Sequence, residues 1–283
     1  MFKKSLRKFI PPIVLEARAA FLSKKPKKLD IGRNAVTWNG NYESWESARS
    51  MTSGYDAEII FKRTAESILK VKSGEAAYER DSVIFDKPQF SWPLVAILLK
   101  IAMENGNKLS VLDFGGSLGS SYFQNRNFFD ALPNFLWSVV EQEHYIDYGN
   151  ENIADSHLKF YFNIDECIAE RNPSVLLLSG VIQCIDSPYS WIKKFTDKSF
   201  DYIIFDRTAF IEDGVDRLTI QTVPESIYPA SYPAWFFDED NILSAMTENF
   251  EFIMDFDNGI TPEITLDGKR AYWKGLYFKR KNG

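Results

Sequence analysis

The chain has 283 residues, 45% of them hydrophobic and 25% charged, with a net charge of −6. These are the proportions of a soluble globular protein with one substantial core. Two cysteines, Cys167 and Cys184, exclude a disulfide framework or a cysteine-based metal site and fit a reducing cytoplasm.

The charge is unevenly spread. Residues 1–28 hold nine Lys or Arg against the single Glu16, a local +8, so the remainder carries −14. An acidic main domain argues against nucleic acid as its partner, because phosphate binding needs a basic face. In the basic stretch Phe2, Leu6, Phe9, Ile10, Ile13, Val14, Ala17 and Phe21 fall near helical spacing, and Pro11-Pro12 break it in two. It reads equally as a peripheral helix on an anionic inner-membrane surface and as an arm packed on the domain. It has neither the apolar core nor the cleavage site of a secretory signal, and no run approaches the roughly 20 residues of a spanning helix.

Residues 29–106 are expected to form a helical N-terminal cap or lid. Its start is aromatic: Trp38-Asn39-Gly40-Asn41-Tyr42, Trp45, and Gly54-Tyr55-Asp56. Asp56 is placed to cap a helix reaching about Lys70, and a second helix spans 92–103.

From residue 107 to 283 strands and helices alternate, the mark of a parallel sheet with crossovers. Strands are expected at 109–113, 136–140, 159–162, 175–178 and 202–205, with helices at about 119–131, 147–155, 164–171 and 187–195. Residues 210–236, with Pro224, Pro229 and Pro233, read as a long functional connection. A helix at about 239–249, a strand at 251–255, a turn at Asp267-Gly268 and a last strand at 272–278 follow.

The chemistry is carried by Leu109-Ser110-Val111-Leu112-Asp113-Phe114-Gly115-Gly116-Ser117-Leu118-Gly119, a strand running through an acid into a glycine turn and a helix. A dinucleotide fingerprint reads G-x-G-x-x-G, with its acid downstream. Here the acid precedes the glycines, and that spacing is absent. A carboxylate in this place repels a pyrophosphate and suits an amino group beside a sulfonium, as in S-adenosylmethionine. Gly115, Gly116 and Gly119 offer open backbone. Glu141 ends the next strand, where it can take ribose hydroxyls, and Asn163 ends the third, near an adenine. Successive strand ends meet in one crevice at the switch point of an open sheet.

The stretch 109–119 resembles the first motif of class I S-adenosylmethionine-dependent methyltransferases. Together with Trp38 to Trp45, Gly54-Tyr55-Asp56, Leu178-Ser179-Gly180-Val181, Phe205-Asp206-Arg207-Thr208 and Ile227-Tyr228-Pro229-Ala230-Ser231-Tyr232-Pro233, it is similar to a bacterial family of methyltransferases associated with cell-surface polysaccharide loci, O-antigen and capsule included. The resemblance implies an α/β, Rossmann-like fold: a mostly parallel seven-stranded sheet ending in an antiparallel hairpin. It implies S-adenosylmethionine as cofactor, with Ser179 and Gly180 joining the residues that hold it; Tyr55, next to Asp56 at a helix start, is a further candidate because helix N-termini commonly face binding clefts. The acceptor it suggests is a saccharide or lipid-linked glycan precursor. Ser117 departs from the family's alternating glycines and leaves the path of the loop open.

A sugar hydroxyl is barely acidic and benefits from a base. Asp206, His144 and Asp186 are candidates, and Arg207 can clamp an anionic acceptor group. Tyr228, Tyr232 and Trp235 offer faces for a sugar or a sulfonium. No dense His/Asp/Glu set suggests a dedicated metal. Two competing readings are a nicotinamide-dependent oxidoreductase acting on nucleotide sugars and a catalytically silent methyltransferase-like scaffold.

Overall fold

The computed structural model describes residues 36–52, 58–87, 89–225, 227, 229–257, 259 and 263–282. The basic arm of residues 1–28, Tyr55, Asp56 and Tyr228 lie outside the described residues.

The described residues open with the short strand β1 (Thr37–Asn39) and two helices, α1 (Trp45–Arg49) and α2 (Glu58–Ser73). A tight hairpin follows, β2 (Tyr78–Arg80) with β3 (Val83–Phe85), then α3 (Trp92–Glu104), which carries Pro93 in its first turn and is capped at its end by Asn105. The cap is therefore not purely helical. Asp81 and Ser82 both adopt positive φ, which lets two residues reverse the chain between β2 and β3.

The alternating part runs β4 (Lys108–Phe114), α4 (Ser120–Asn125), β5 (Asn134–Val140), α5 (Glu143–Tyr148), β6 (Leu158–Tyr161), α6 (Ile164–Arg171), β7 (Val175–Ser179), α7 (Pro188–Thr196) and β8 (Tyr202–Ile211). Its central strands are buried along nearly their whole length, as strands with helices on both faces must be. Period two splits them between two cores. Val111, Trp137, Leu177 and Ile204 pack on one face with residues of α2 and α3; Leu112, Val140, Leu176 and Ile203 pack on the other with residues of α6 to α8.

The sequence expectation fails most clearly after residue 205. Strand β8 does not stop at Asp206 but continues to Ile211, and the expected long connection is mostly sheet. Its strands β9 (Arg217–Val223) and β10 (Ala230–Phe236) pair antiparallel, and β1 adds to the far edge of β9. The prolines misled because Pro224 and Pro229 flank the hairpin's turn, whereas Pro233 stands within β10 opposite Ile220. The chain then forms α8 (Glu239–Met246), β11 (Phe250–Phe256), β12 (Ile264–Leu266) and β13 (Lys269–Arg280).

The main sheet has the order β11-β13-β8-β7-β4-β5-β6, with short β12 pairing with β13 as an eighth strand. Strands β4 to β8 are parallel, and β13 runs antiparallel to β8 and β11. This is the mostly parallel sheet with a terminal antiparallel pair expected from the sequence. From β4 the chain winds outward through β5 and β6, then returns to β7 on the other side. The switch point therefore lies between β4 and β7, above their carboxyl ends.

Candidate active site

A cavity of about 1000 Å³ opens at that switch point. Its floor is the glycine turn after β4 and the ends of β5 to β8. Its walls come from the β2–β3 hairpin and from the β1–β9–β10 sheet. The volume is at the upper end of the range for small-molecule sites, with room for two ligands side by side.

The turn is shaped by three left-handed residues, Gly115 (φ 70°), Ser117 (φ 53°) and Gly119 (φ 88°). Ser117 thus takes the backbone geometry that a glycine would have adopted more cheaply. Gly115 has no room for a side chain, because a Cβ there would collide with Val181. Gly115 and Gly116 line the cavity. Gly119 does not: it starts α4 with its Cα side turned toward Leu158, where a Cβ would stand 3.0 Å from Cδ2.

Asp113 departs from its expected place. The strand alternation that puts Val111 in the core puts Asp113 on the same face, so its carboxyl is buried beneath the turn rather than aimed into the cavity. Trp137 Nε1 donates to Asp113 Oδ2 at 3.3 Å, and Oδ1 has no partner among the described residues. Burial pushes its pKa up to about 7, against the opposing pull of the Trp137 N–H and Arg207.

Glu141 lines the cavity from the end of β5. Its Oε2 accepts from the backbone N–H of Gln142 at 2.7 Å. Burial raises its pKa, while the N–H groups of Gln142 and Ser117 favour the carboxylate. Asn163 also borders the cavity, but its side chain caps α6: Oδ1 accepts from the Glu166 N–H at 2.9 Å and Nδ2 donates to Glu166 Oε1 at 2.8 Å.

On the other side of the turn, Ser179, Gly180, Asp206 and Arg207 meet in one hydrogen-bonded group. Ser179 Oγ donates to Asp206 Oδ2 at 2.8 Å and accepts from Arg207 Nε at 3.2 Å. Asp206 is 3% exposed, and its Oδ1 has no partner among the described residues. Burial raises its pKa, with Arg207 and Ser179 pulling the other way. Gly180, at φ 72°, leaves the space that the Arg207 guanidinium fills.

His144 and Asp186 are not brought into this site. His144 is exposed on α5, where its ring packs on Phe61 and Tyr145. Asp186 is exposed and accepts from Ser187 Oγ at 3.1 Å. Of the aromatic residues, Tyr232 lines the cavity and Trp235 does not. The two are three residues apart on β10 and so face opposite sides; Trp235 packs on the second core. Cys184 borders the cavity, and burial pushes its thiol up to about 12.

Two groups of wall residues escape sequence reasoning. The β2–β3 hairpin contributes Tyr78, Glu79, Arg80 and Asp81. Glu79 is 1% exposed, accepts from Ser120 Oγ and from the Ser82 N–H, and is pushed up to about 7 by burial. Opposite, Trp38 Nε1 donates to Gln221 Oε1 at 3.0 Å and Gln221 Nε2 donates to Tyr232 Oη at 2.6 Å, tying β1, β9 and β10 into one polar-edged wall. Alternation in Tyr78-Glu79-Arg80 and Val83-Ile84-Phe85 around Asp81-Ser82 was a legible hairpin signal; its docking over the turn was not.

No family model matches the chain, and no curated protein does. Solved structures with a similar chain path include the N-terminal domain of EvdMO1 with SAH bound, at a TM-score of 0.46 and 12% identity over 77% of this chain and 96% of that one. Others are magnesium protoporphyrin IX methyltransferase from Synechocystis PCC 6803 with bound SAM (0.44, 13%, over 86% and 100%) and the Burkholderia thailandensis 1,6-didemethyltoxoflavin-N1-methyltransferase (0.42, 12%, over 82% and 95%).

Proposed function

We propose that this chain is an S-adenosylmethionine-dependent methyltransferase whose acceptor is a hydroxyl of a saccharide or lipid-linked glycan precursor of the bacterial cell surface. One observation carries the cofactor reading. A carboxylate at the end of β5 and a left-handed glycine turn after β4 border one cavity at the sheet's switch point. Glu141 suits a ribose, and the backbone of Gly115 and Gly116 can approach a ligand closely. The acceptor reading draws on the family resemblance, on the mixed aromatic and polar wall around Trp38 and Tyr232, and on room left over in the cavity.

When bound, S-adenosylmethionine supplies a methyl carbon activated by its sulfonium. The chain's residues then have two tasks. The cavity walls hold the acceptor oxygen in line with that carbon, a positioning effect that can supply much of the rate. Asp206 takes the proton as the new O–C bond forms and the C–S bond breaks, using the unpartnered Oδ1 as acceptor. Ser179 and Arg207 hold Asp206 in place. Buried Asp113 acts beneath the turn and shapes it.

Calorimetry with S-adenosylhomocysteine tests this reading. Glu141→Ala is expected to weaken binding by about 10- to 100-fold, the loss of charged hydrogen bonds. Unchanged affinity would remove Glu141 from the cofactor site, and no binding to the wild type would remove the cofactor. We also propose that the basic arm of residues 1–28 brings a cytoplasmic enzyme to the inner membrane, as its composition suggests. Deleting it should move the protein from anionic liposome pellets to the supernatant at low salt, and equal partitioning would exclude this role.

A further inference from the structure

We propose that Arg80 and Arg207 form an oxyanion subsite in the acceptor half of the cavity, so that the acceptor carries a carboxylate or a phosphoryl group. The inference rests on the methyltransferase reading for the word acceptor, but the subsite itself rests on geometry. Both side chains line the same cavity. Arg80 Nη1 is buried and has no hydrogen-bond partner among the described residues. Its guanidinium is held over the Phe85 ring, 5.4 Å from the centroid, so it is oriented without being neutralised.

Arg207 also lines the cavity, with its side chain 24% exposed. Its Nε and Nη2 reach Ser179, while its Nη1 approaches only Asp81 Oδ2, at 3.9 Å. Its Nε lies 3.8 Å from Asp206 Oδ2. Both carboxylate separations exceed hydrogen-bond length, so neither acid takes up the guanidinium's donors. The buried, unpartnered Nη1 of Arg80 is costly unless something else fills it. Planar donor forks match carboxylate and phosphate, which is why paired arginines select these groups.

The surrounding acids do not forbid an anion. Of the acids near the arginines, Glu79 is pushed up to about 7 by burial, and Asp81 is exposed, its Oδ2 3.9 Å from Arg207 Nη1. Position in the sheet separates the subsite from the cofactor half. Glu141 directly follows β5, on one side of β4, and Arg207 lies on β8, two strands to the other side.

The test uses full-length protein saturated with S-adenosylhomocysteine and three sugar probes: glucuronate, glucose 1-phosphate and methyl glucoside. One or both anionic probes should bind at least tenfold more tightly than the neutral one, and which of them does so distinguishes carboxylate from phosphate. Arg80→Gln and Arg207→Gln should each abolish that preference, while Arg80→Lys retains part of it and serves as the check that the hairpin remains folded. Equal binding of charged and neutral probes would overturn the subsite. So would a loss of S-adenosylhomocysteine affinity in Arg80→Gln matching the loss for the anions, because it would assign the arginine to the cofactor's own carboxylate. If the wild type does not bind S-adenosylhomocysteine, the methyltransferase reading falls, and the sugar-probe comparison on the unliganded protein still decides the subsite.

Discussion

Asp206 and Arg207 are consecutive residues of one strand, yet both side chains line the same cavity. Alternation would send them to opposite faces. The register between β8 and β13 shifts here, so that Asp206 and Arg207 together oppose the single Gly275. Arg207 takes φ 51° at this bulge. Bulges re-aim side chains in this way beside functional sites.

Asp206→Asn keeps this geometry and removes the proposed base. Methyl transfer should fall by about 10²- to 10⁴-fold, the usual worth of a general base. S-adenosylhomocysteine affinity should stay close to wild type. Because burial raises the Asp206 pKa, the wild-type rate should climb with pH as the carboxylate forms, and the variant should lose that limb. A variant with the wild-type pH profile would shift the proton's destination to another residue.

Gly116 stands directly over Asp113, and a Cβ built there would lie 2.6 Å from Cγ and 2.7 Å from Oδ2. Its backbone is not left-handed, so the glycine serves space rather than φ. Gly116→Ala should destabilise the fold by about 1–3 kcal/mol, the cost of overpacking a filled interior. Urea unfolding measures it, and an unchanged midpoint would mean that the carboxyl has somewhere to move.

Asp113 gives the fold a pH dependence of definite sign. Its folded pKa, about 7, lies above the ordinary carboxylate value, so the native state holds the proton more tightly than the unfolded chain. The stability is complete below the unfolded pKa and is lost as pH rises toward about 7. Asp113→Asn should flatten this decline. Unfolding midpoints compared at about pH 5 and about pH 8 should differ less in the variant than in the wild type. Glu79, also pushed to about 7, adds a decline of the same sign, so some slope should remain.

Tyr232 and Trp235 separate function from packing on one strand. Trp235→Ala should lower stability by about 0.5–3 kcal/mol, as partly buried truncations do, with ligand affinity unchanged. Tyr232→Phe removes the hydroxyl that accepts from Gln221 and should lower kcat/KM for the acceptor while leaving the unfolding midpoint nearly in place. The reverse pattern would turn the strand's two faces around.

Much of the parallel sheet was legible from residues alone. Apolar runs of strand length, each followed by a turn signal and a helix-competent stretch, leave few alternatives to crossover connections. The glycine turn, Glu141 and the Ser179-Gly180 strand end were legible for the same reason: they sit where strands stop, and strand ends are marked locally. Asp113 was legible as a residue but not as a position, because one step along a strand decides between cavity and core. The antiparallel hairpin at 217–236 was hidden by its prolines and by aromatic residues that suit a lid as well as a strand.

By itself, then, the sequence determined the α/β class, the parallel strands with their terminal antiparallel pair, and the glycine turn that follows β4. Only the tertiary structure decided which carboxylates face the cavity, that a bulge turns both Asp206 and Arg207 inward, and that a hairpin remote in sequence brings Glu79 and Arg80 over the turn. The reason is range. Periodicity and turn chemistry act over a few residues and are written along the chain, whereas burial and bulge pairing depend on partners that only the folded sheet brings together.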